Sequence, residues 1–250
     1  MSGHNKWSQI KHKKGITDAK KGNIFSKLVR EVMVAAKTGG SSSDSNVRLR
    51  SAIERARAEG VPKDNIERAI ARASGGEEGM ELSEILCEAT GPGGVAIIIE
   101  AITDSKNRTI NEIKHLLTEH NARLAEPGSL LWNFEKIGIV EVSAEGNPGK
   151  TAEQIESAVI ESGAADFHDE EGAWMIETAF TDVEHVRRAL EAGGITVKES
   201  GHDWKPRAWI DVSPNVRENL EILLSSLAGH NDVQEIYSNM KVQTYDRPGH

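Results

Sequence analysis

The chain has 250 residues, 38% of them hydrophobic and 28% charged, with a net charge of −9. This composition excludes a disordered polymer and leaves room for more than one core. The lack of any apolar run of about 18 residues excludes a membrane-spanning helix. Cys87 is the only cysteine, so one chain can build neither an internal disulfide nor a cysteine-based metal site.

Charge is unevenly spread. Residues 1–72 hold 16 Lys and Arg against 7 Asp and Glu, and the remainder holds 14 against 32. A basic leading part on an acidic body points to a polyanionic partner, nucleic acid above all. The polar, basic stretch after Met1 has no hydrophobic leader, so the expected location is cytoplasmic.

Residues 1–15 show no apolar period and read as an extended arm that orders on a partner. They carry His4, Lys6, Trp7, Lys11, His12, Lys13 and Lys14. Trp7 either stacks on a base or plugs into the domain, and one aromatic does not decide between these. From Gly22 a helix is clear, with Phe25, Leu28, Val29, Val32, Met33 and Ala36 on one stripe. Lys20, Lys21, Lys27 and Arg30 belong to this segment, and Lys20, Lys27 and Arg30 are expected to face outward. Gly39-Gly40 ends the helix.

A second helix starts at Ser45 or Asn46, either of which can accept from free first-turn amides. Leu49, Ala52, Ile53 and Ala56 form its stripe, with Arg48, Arg50, Arg55 and Arg57 off it. Pro62 suits the opening turn of a third helix. Lys63 sits in that turn, Ile66, Ala69, Ile70 and Ala73 face inward, and Arg68 and Arg72 face out.

After Gly79 the period changes. Leu82 to Ala89 and Val95 to Ile102 read as strands joined by a Gly91-Pro92-Gly93-Gly94 turn. That turn lacks the Lys-Ser/Thr of a phosphate loop and opens no helix. Thr103-Asp104-Ser105 caps a helix from Lys106 to His120. Residues 137–200 read strand, helix, strand, strand, helix, strand, the ferredoxin-like split βαβ order. Ala208 to Val212, Asn215 to Leu227 and Val233 to Tyr237 read strand, helix, strand.

The expected fold class is therefore α+β with three domains. Residues 1–78 form a basic helical domain with its arm. Residues 79–133 and 205–240 form an interrupted α/β domain, and 134–204 form a ferredoxin-like domain inserted into it. No catalytic constellation appears: the histidines are scattered, and there is no HExxH or GxSxG. The expectation is a non-enzymatic protein without cofactor or metal, monomeric by default. Asn5, Gln9 and Asn23 are the few base-reading candidates near the arm, which favours phosphate contact over groove reading.

Several segments in order resemble the YebC/PmpR family. They are Gly3-His4-Asn5-Lys6-Trp7, Ile10-Lys11-His12-Lys13-Lys14 and Phe25-Ser26-Lys27-Leu28-Val29-Arg30-Glu31. Further on come Asn46-Val47-Arg48-Leu49-Arg50, Pro62 to Ile70, Gly91-Pro92-Gly93-Gly94-Val95-Ala96 and Asn107-Arg108-Thr109. The chain departs from the family at Cys87-Glu88-Ala89-Thr90, where a tyrosine-rich stretch is usual. The resemblance implies one helical and two ferredoxin-like domains and no known catalysis. It implies a DNA-binding transcriptional regulator. The alternatives are a ribosome-associated factor on ribosomal or transfer RNA that relieves polyproline stalling, or a protein-interaction adaptor.

Overall fold

The computed structural model describes residues 18–75, 81–170 and 172–241, and these form an α+β protein with two four-stranded sheets. Its described residues divide into two compact units. Among the described residues one draws on 18–27, 81–135 and 205–241, the other on 28–75, 136–170 and 172–204. Among the described residues no helix is long and apolar enough to cross a membrane.

Helix α1 (Asp18–Gly39) leads, followed by α2 (Val47–Ala58) and α3 (Lys63–Ser74). The α2 stripe read from sequence is its buried face, whereas on α1 Phe25, Leu28, Val29 and Met33, and on α3 Ile70 and Ala73, are only half-buried. Val32, Ala36, Leu49, Ala52, Ile53, Ala56, Ile66 and Ala69 are all buried. Asn46, not Ser45, caps α2: its Oδ1 accepts from the Leu49 amide at 3.0 Å. Its Nδ2 donates to the carbonyls of Ala35 at 2.8 Å and Gly40 at 2.7 Å, so one buried amide closes α1 and opens α2. Gly39 lies against this side chain, where a Cβ would come within 2.6 Å of Asn46 Nδ2.

The first sheet starts with β1 (Ser83–Thr90) and β2 (Ala96–Thr103), then α4 (Lys106–Glu119) and β3 (Arg123–Leu124). The second sheet follows: β4 (Phe134–Ser143), α5 (Ala152–Glu161), β5 (Asp166–Glu170), β6 (Ala173–Ala179), α6 (Val183–Ala192) and β7 (Val197–Pro206). Helix α7 (Pro214–Gly229) and β8 (Val233–Ser238) then return to the first sheet. Its strand order is β3-β1-β2-β8, and the second sheet's is β5-β6-β4-β7. The second sheet has the ferredoxin-like order. The first is different: its two central strands, β1 and β2, are consecutive in sequence, with β3 and β8 at the edges.

Alternation places one core on each sheet. Ile97, Ile99, Ala101 and Cys87 pack with Ile113 and Leu117 of α4 and with Leu220, Leu223 and Leu227 of α7. Val140, Val142 and Ile176 pack with Ile155 and Val159 of α5 and Val186 and Leu190 of α6. Burial pushes the Cys87 thiol pKa up, which disfavours the thiolate a nucleophile would need.

Some elements differ from the sequence reading. The expected strand at Ala208 to Val212 is a single parallel bridge between Ile210 and Met240. The last strand of the second sheet extends to Pro206, past the expected end of this segment at residue 200, because its later residues are held by backbone pairing without apolar alternation. β3 was not expected, since two residues carry no period. It pairs Ala89 with Leu124 and Thr90 with Arg123. Ser105 sits at the start of α4 but makes no side-chain cap; Thr103 Oγ1 accepts from the Ser105 amide at 2.9 Å instead.

The segment after β3 is held by a buried carboxylate. Glu88, 3% exposed, accepts from the amides of Gly128, Leu130 (2.6 Å) and Leu131 (3.0 Å). Removing it orphans three backbone donors. Glu88→Ala is therefore expected to cost about 3 kcal/mol of stability in urea titrations, with faster hydrogen exchange at Leu130 and Leu131.

Candidate nucleic-acid interface

The cations expected to meet phosphate separate by what they touch. His4, Lys6, Trp7, Lys11, His12, Lys13 and Lys14 lie outside the described residues. For Lys20 and Lys21 the helical backbone of α1 is described and their side chains are not.

Other cations are engaged inside a unit. Lys27 does not face out as expected: it is 6% exposed, and its Nζ donates to the Ala228 carbonyl at 2.7 Å. The last turn of α7 leaves carbonyls without helical partners, and an ammonium there satisfies one of them and meets the negative helix end. Asn23 Nδ2 does the same for Gly229 at 2.9 Å. Arg50 donates to the carbonyls of Ser43 at 3.0 Å and Asp44 at 2.9 Å, and its Nη1 lies 3.6 Å from Glu184 of α6. Arg55 pairs with Glu31 of α1 and sits 3.5 Å from Glu199 of β7.

The remaining cations are on the outside. Arg48, Arg57, Lys63, Arg68 and Arg72 are exposed, and Arg30 is half-buried. Lys63 lies 3.4 Å from Glu67, an exposed pair of little energetic weight. Arg68 folds back on its own helix, donating to the Asp64 carbonyl at 3.1 Å and to Asn65. Arg68 and Arg72 lie one turn apart on the outer face of α3, opposite Ile66 and Ala69. Arg57 and Arg72 also stand in the last turns of α2 and α3, where a cation complements the helix dipole.

Glu184 makes the Arg50 contact durable. It accepts from Arg187 Nε and Nη2, both at 2.8 Å, and from Arg188 Nε at 2.6 Å. These bonds, Arg187's foremost, hold its carboxyl down to about 2. Arg50 therefore faces a charged carboxylate across the neutral range.

Two sets of a histidine with carboxylates also come together among the described residues. Glu112, His230 and Asp232 form one; Asp166, His168 and Glu177 form the other. In the first, Asp232 Oδ2 already accepts from Thr109 at 2.6 Å and from Arg108 at 2.8 Å. A guanidinium on that oxygen opposes a cation, and the set acts as a lock between α4 and β8. In the second, His168 Nε2 lies 3.3 Å from Glu177 and 3.9 Å from Asp166. Asp166 and His168 are near neighbours in sequence, and Glu177 is not. That residue joins because β6 pairs Glu177 directly opposite Asp166.

Aromatic groups on the surface also escaped the sequence reading. Lys136 Nζ lies 4.5 Å from the Phe180 ring centre and 5.5 Å from that of Trp204. Trp132 is 70% exposed. Neither pattern has a period that would reveal it.

Residues 5–76 match the TACO1/YebC protein N-terminal domain, and residues 82–240 match the TACO1/YebC second and third domain. A protein of Thermotoga maritima named "Probable transcriptional regulatory protein" is 44% identical over 242 residues, 97% of this chain and 94% of that one. A Geobacter sulfurreducens protein of the same descriptive name is 41% identical over 247 residues, 98% of this chain and 97% of that one. The crystal structure of a conserved hypothetical protein from Aquifex aeolicus matches with a TM-score of 0.86 at 35% identity. The match covers 97% of this chain and 99% of that one.

The depressed Glu184 carboxyl gives a pH signature. Its folded value of about 2 lies below its ordinary 4.5, so its stabilisation is present above the ordinary value and lost as pH falls toward the folded one. Glu184→Gln should lower stability near neutral pH. Urea titrations at stepped pH should show the difference from the parent shrinking from about pH 4.5 downward and vanishing near about pH 2.

Proposed function

The chain belongs to the TACO1/YebC family, and from that premise we propose that it is a DNA-binding regulator of transcription that acts without catalysis. The observation that carries this reading is the set of exposed guanidinium groups at Arg48, Arg57, Arg68 and Arg72, on helices of the part of the chain rich in Lys and Arg. The names of the relatives point the same way. Cations on the outer faces of helices displace counterions from a phosphate backbone, which gives affinity and salt sensitivity. Asn and Gln side chains that would read base edges are few on those faces, so shape and backbone dominate over sequence. The role is cytoplasmic and needs no membrane.

Mobility shifts with duplex DNA and with structured RNA, each over a series of salt concentrations, test this reading. The triple change Arg57→Glu, Arg68→Glu, Arg72→Glu should weaken duplex binding. It should also flatten the log–log salt dependence by about one unit for each phosphate that is no longer neutralised. Its melting temperature should stay near the parent's, because the changed side chains are exposed. Lys11→Glu with Lys13→Glu and Lys14→Glu should abolish binding with the same small thermal effect. Failure of the parent to bind any duplex at low salt would overturn the DNA assignment. Binding confined to RNA would move the regulator to an RNA target.

A further inference from the structure

We propose that Trp132 and Arg207 form a platform on which an unpaired nucleic-acid base stacks; this rests on the nucleic-acid reading above and adds an attachment point that is not part of the basic helices. Tryptophan is normally among the more buried side chains, yet Trp132 is 70% exposed. Its ring is also fixed in place. Trp132 Nε1 donates to the Ser129 carbonyl at 2.8 Å, so the indole's only donor is satisfied and its face is left as open surface. The residue stands in the single turn of helix Leu131–Asn133 ahead of β4. That turn is the one held by the buried Glu88 carboxylate through the amides of Gly128, Leu130 and Leu131.

Arg207 is bound to the same turn. Its amide donates to the Asn133 carbonyl at 2.7 Å and its Nε to the Phe134 carbonyl at 3.3 Å. Its side chain remains 60% exposed, with Nη2 4.0 Å from Glu135 at the limit of an ion pair. A pre-positioned indole face, with a guanidinium tied to the same turn, offers the chemistry that takes an unstacked base and its adjoining phosphate.

Two alternatives fit less well. A protein interface centres an exposed tryptophan in an apolar patch, whereas the other exposed residues of this segment are Glu126, Pro127, Gly128, Ser129 and Glu135. A duplex backbone laid along the segment would meet Glu126 and Glu135, which repel phosphate. One base reaching the ring from a single strand avoids both. Stacking is available to every base, so the platform would select strandedness and leave sequence unread.

The test compares the parent full chain with Trp132→Ala, Trp132→Phe and Arg207→Ala. Fluorescence anisotropy would be read with labelled oligouridine, oligothymidine, a matched abasic strand and a duplex. Trp132→Ala should weaken binding of the base-bearing single strands roughly tenfold, and Trp132→Phe much less. Trp132→Ala should leave the abasic strand and the duplex unchanged. Arg207→Ala should weaken the single strands and reduce their salt dependence. Preference between oligouridine and oligothymidine assigns the strand to RNA or DNA, and either fits the platform. Equal weakening on the abasic strand, or no weakening on any strand while the parent binds, overturns the platform alone. If the parent binds none of the four probes, the nucleic-acid reading fails with it. Melting temperature is the folding control, and an exposed ring should not move it.

Discussion

The first sheet depends on a pairing between strands that lie far apart in the chain. β2 meets β8 with Ile97 opposite Ser238 and Ala101 opposite Val233. All strands of the second sheet lie between the two in sequence. Closing so long a loop costs entropy that grows only slowly with its length, which makes the insertion tolerable. The ladder is secured at both ends. At one end Asn239 Oδ1 accepts from the Ala96 amide at 2.8 Å. At the other the Ile102 amide donates to the Asp232 carbonyl at 2.8 Å, while the Asp232 carboxylate takes Thr109 and Arg108. Each of these buried polar groups has a partner, so the junction avoids the penalty of an orphaned donor or acceptor. Arg108, Thr109 and Asp232 tie α4 to the start of β8, and that tie fixes where the returning segment enters the sheet.

Among the described residues, the basic helices offer fewer cations to a partner than their charge count suggests. Arg48 and Arg55 lie seven apart on one side of α2, and Arg50 and Arg57 lie seven apart on the other. In each pair one member is half-buried and one is exposed. Arg55 meets Glu31 and Glu199, and Arg50 meets Glu184 with the Ser43 and Asp44 carbonyls. Arg48 and Arg57 are on the surface. A rim-type ion pair adds little stability by itself. Its effect is geometric, because it fixes Arg50 and Arg55 against their partners in the protein. Glu184 is suited to that task, since its other arginine partners keep it charged whether or not Arg50 approaches.

Much of the fold was legible because local signals agreed with tertiary packing. The stripe Leu49, Ala52, Ile53, Ala56 is the buried face of α2, and the β-branched run from Ile97 to Ile99 is the centre of the first sheet. Thr151 caps α5 through a full capping box with Gln154. What was illegible shares one cause: it depends on partners distant in sequence. The two residues of β3 are a strand only because Ala89 and Thr90 lie beside them. Lys27 looks like any exposed lysine on a helix until Ala228 supplies a carbonyl. Arg50 and Arg55 carry the same periodicity as Arg48 and Arg57, and their partners on α1, α6 and β7 are distant in sequence. Glu177 joins His168 through strand register, and Trp132 is displayed by a glutamate far earlier in the chain, Glu88.

The two proposed modes of binding would divide recognition between different physical terms. Phosphate contact by exposed arginines is electrostatic, so it weakens steeply as salt rises and treats all sequences nearly alike. Stacking on an indole face is mostly dispersion and desolvation, so salt touches it little, but it requires a base out of its helix. With the first term alone the protein would coat any polyanion. With the second alone a single ring would bind too weakly to hold a strand. Carried by one chain, the two terms predict different salt responses: duplex binding should fall steeply as salt rises, while the stacking share of single-strand binding persists.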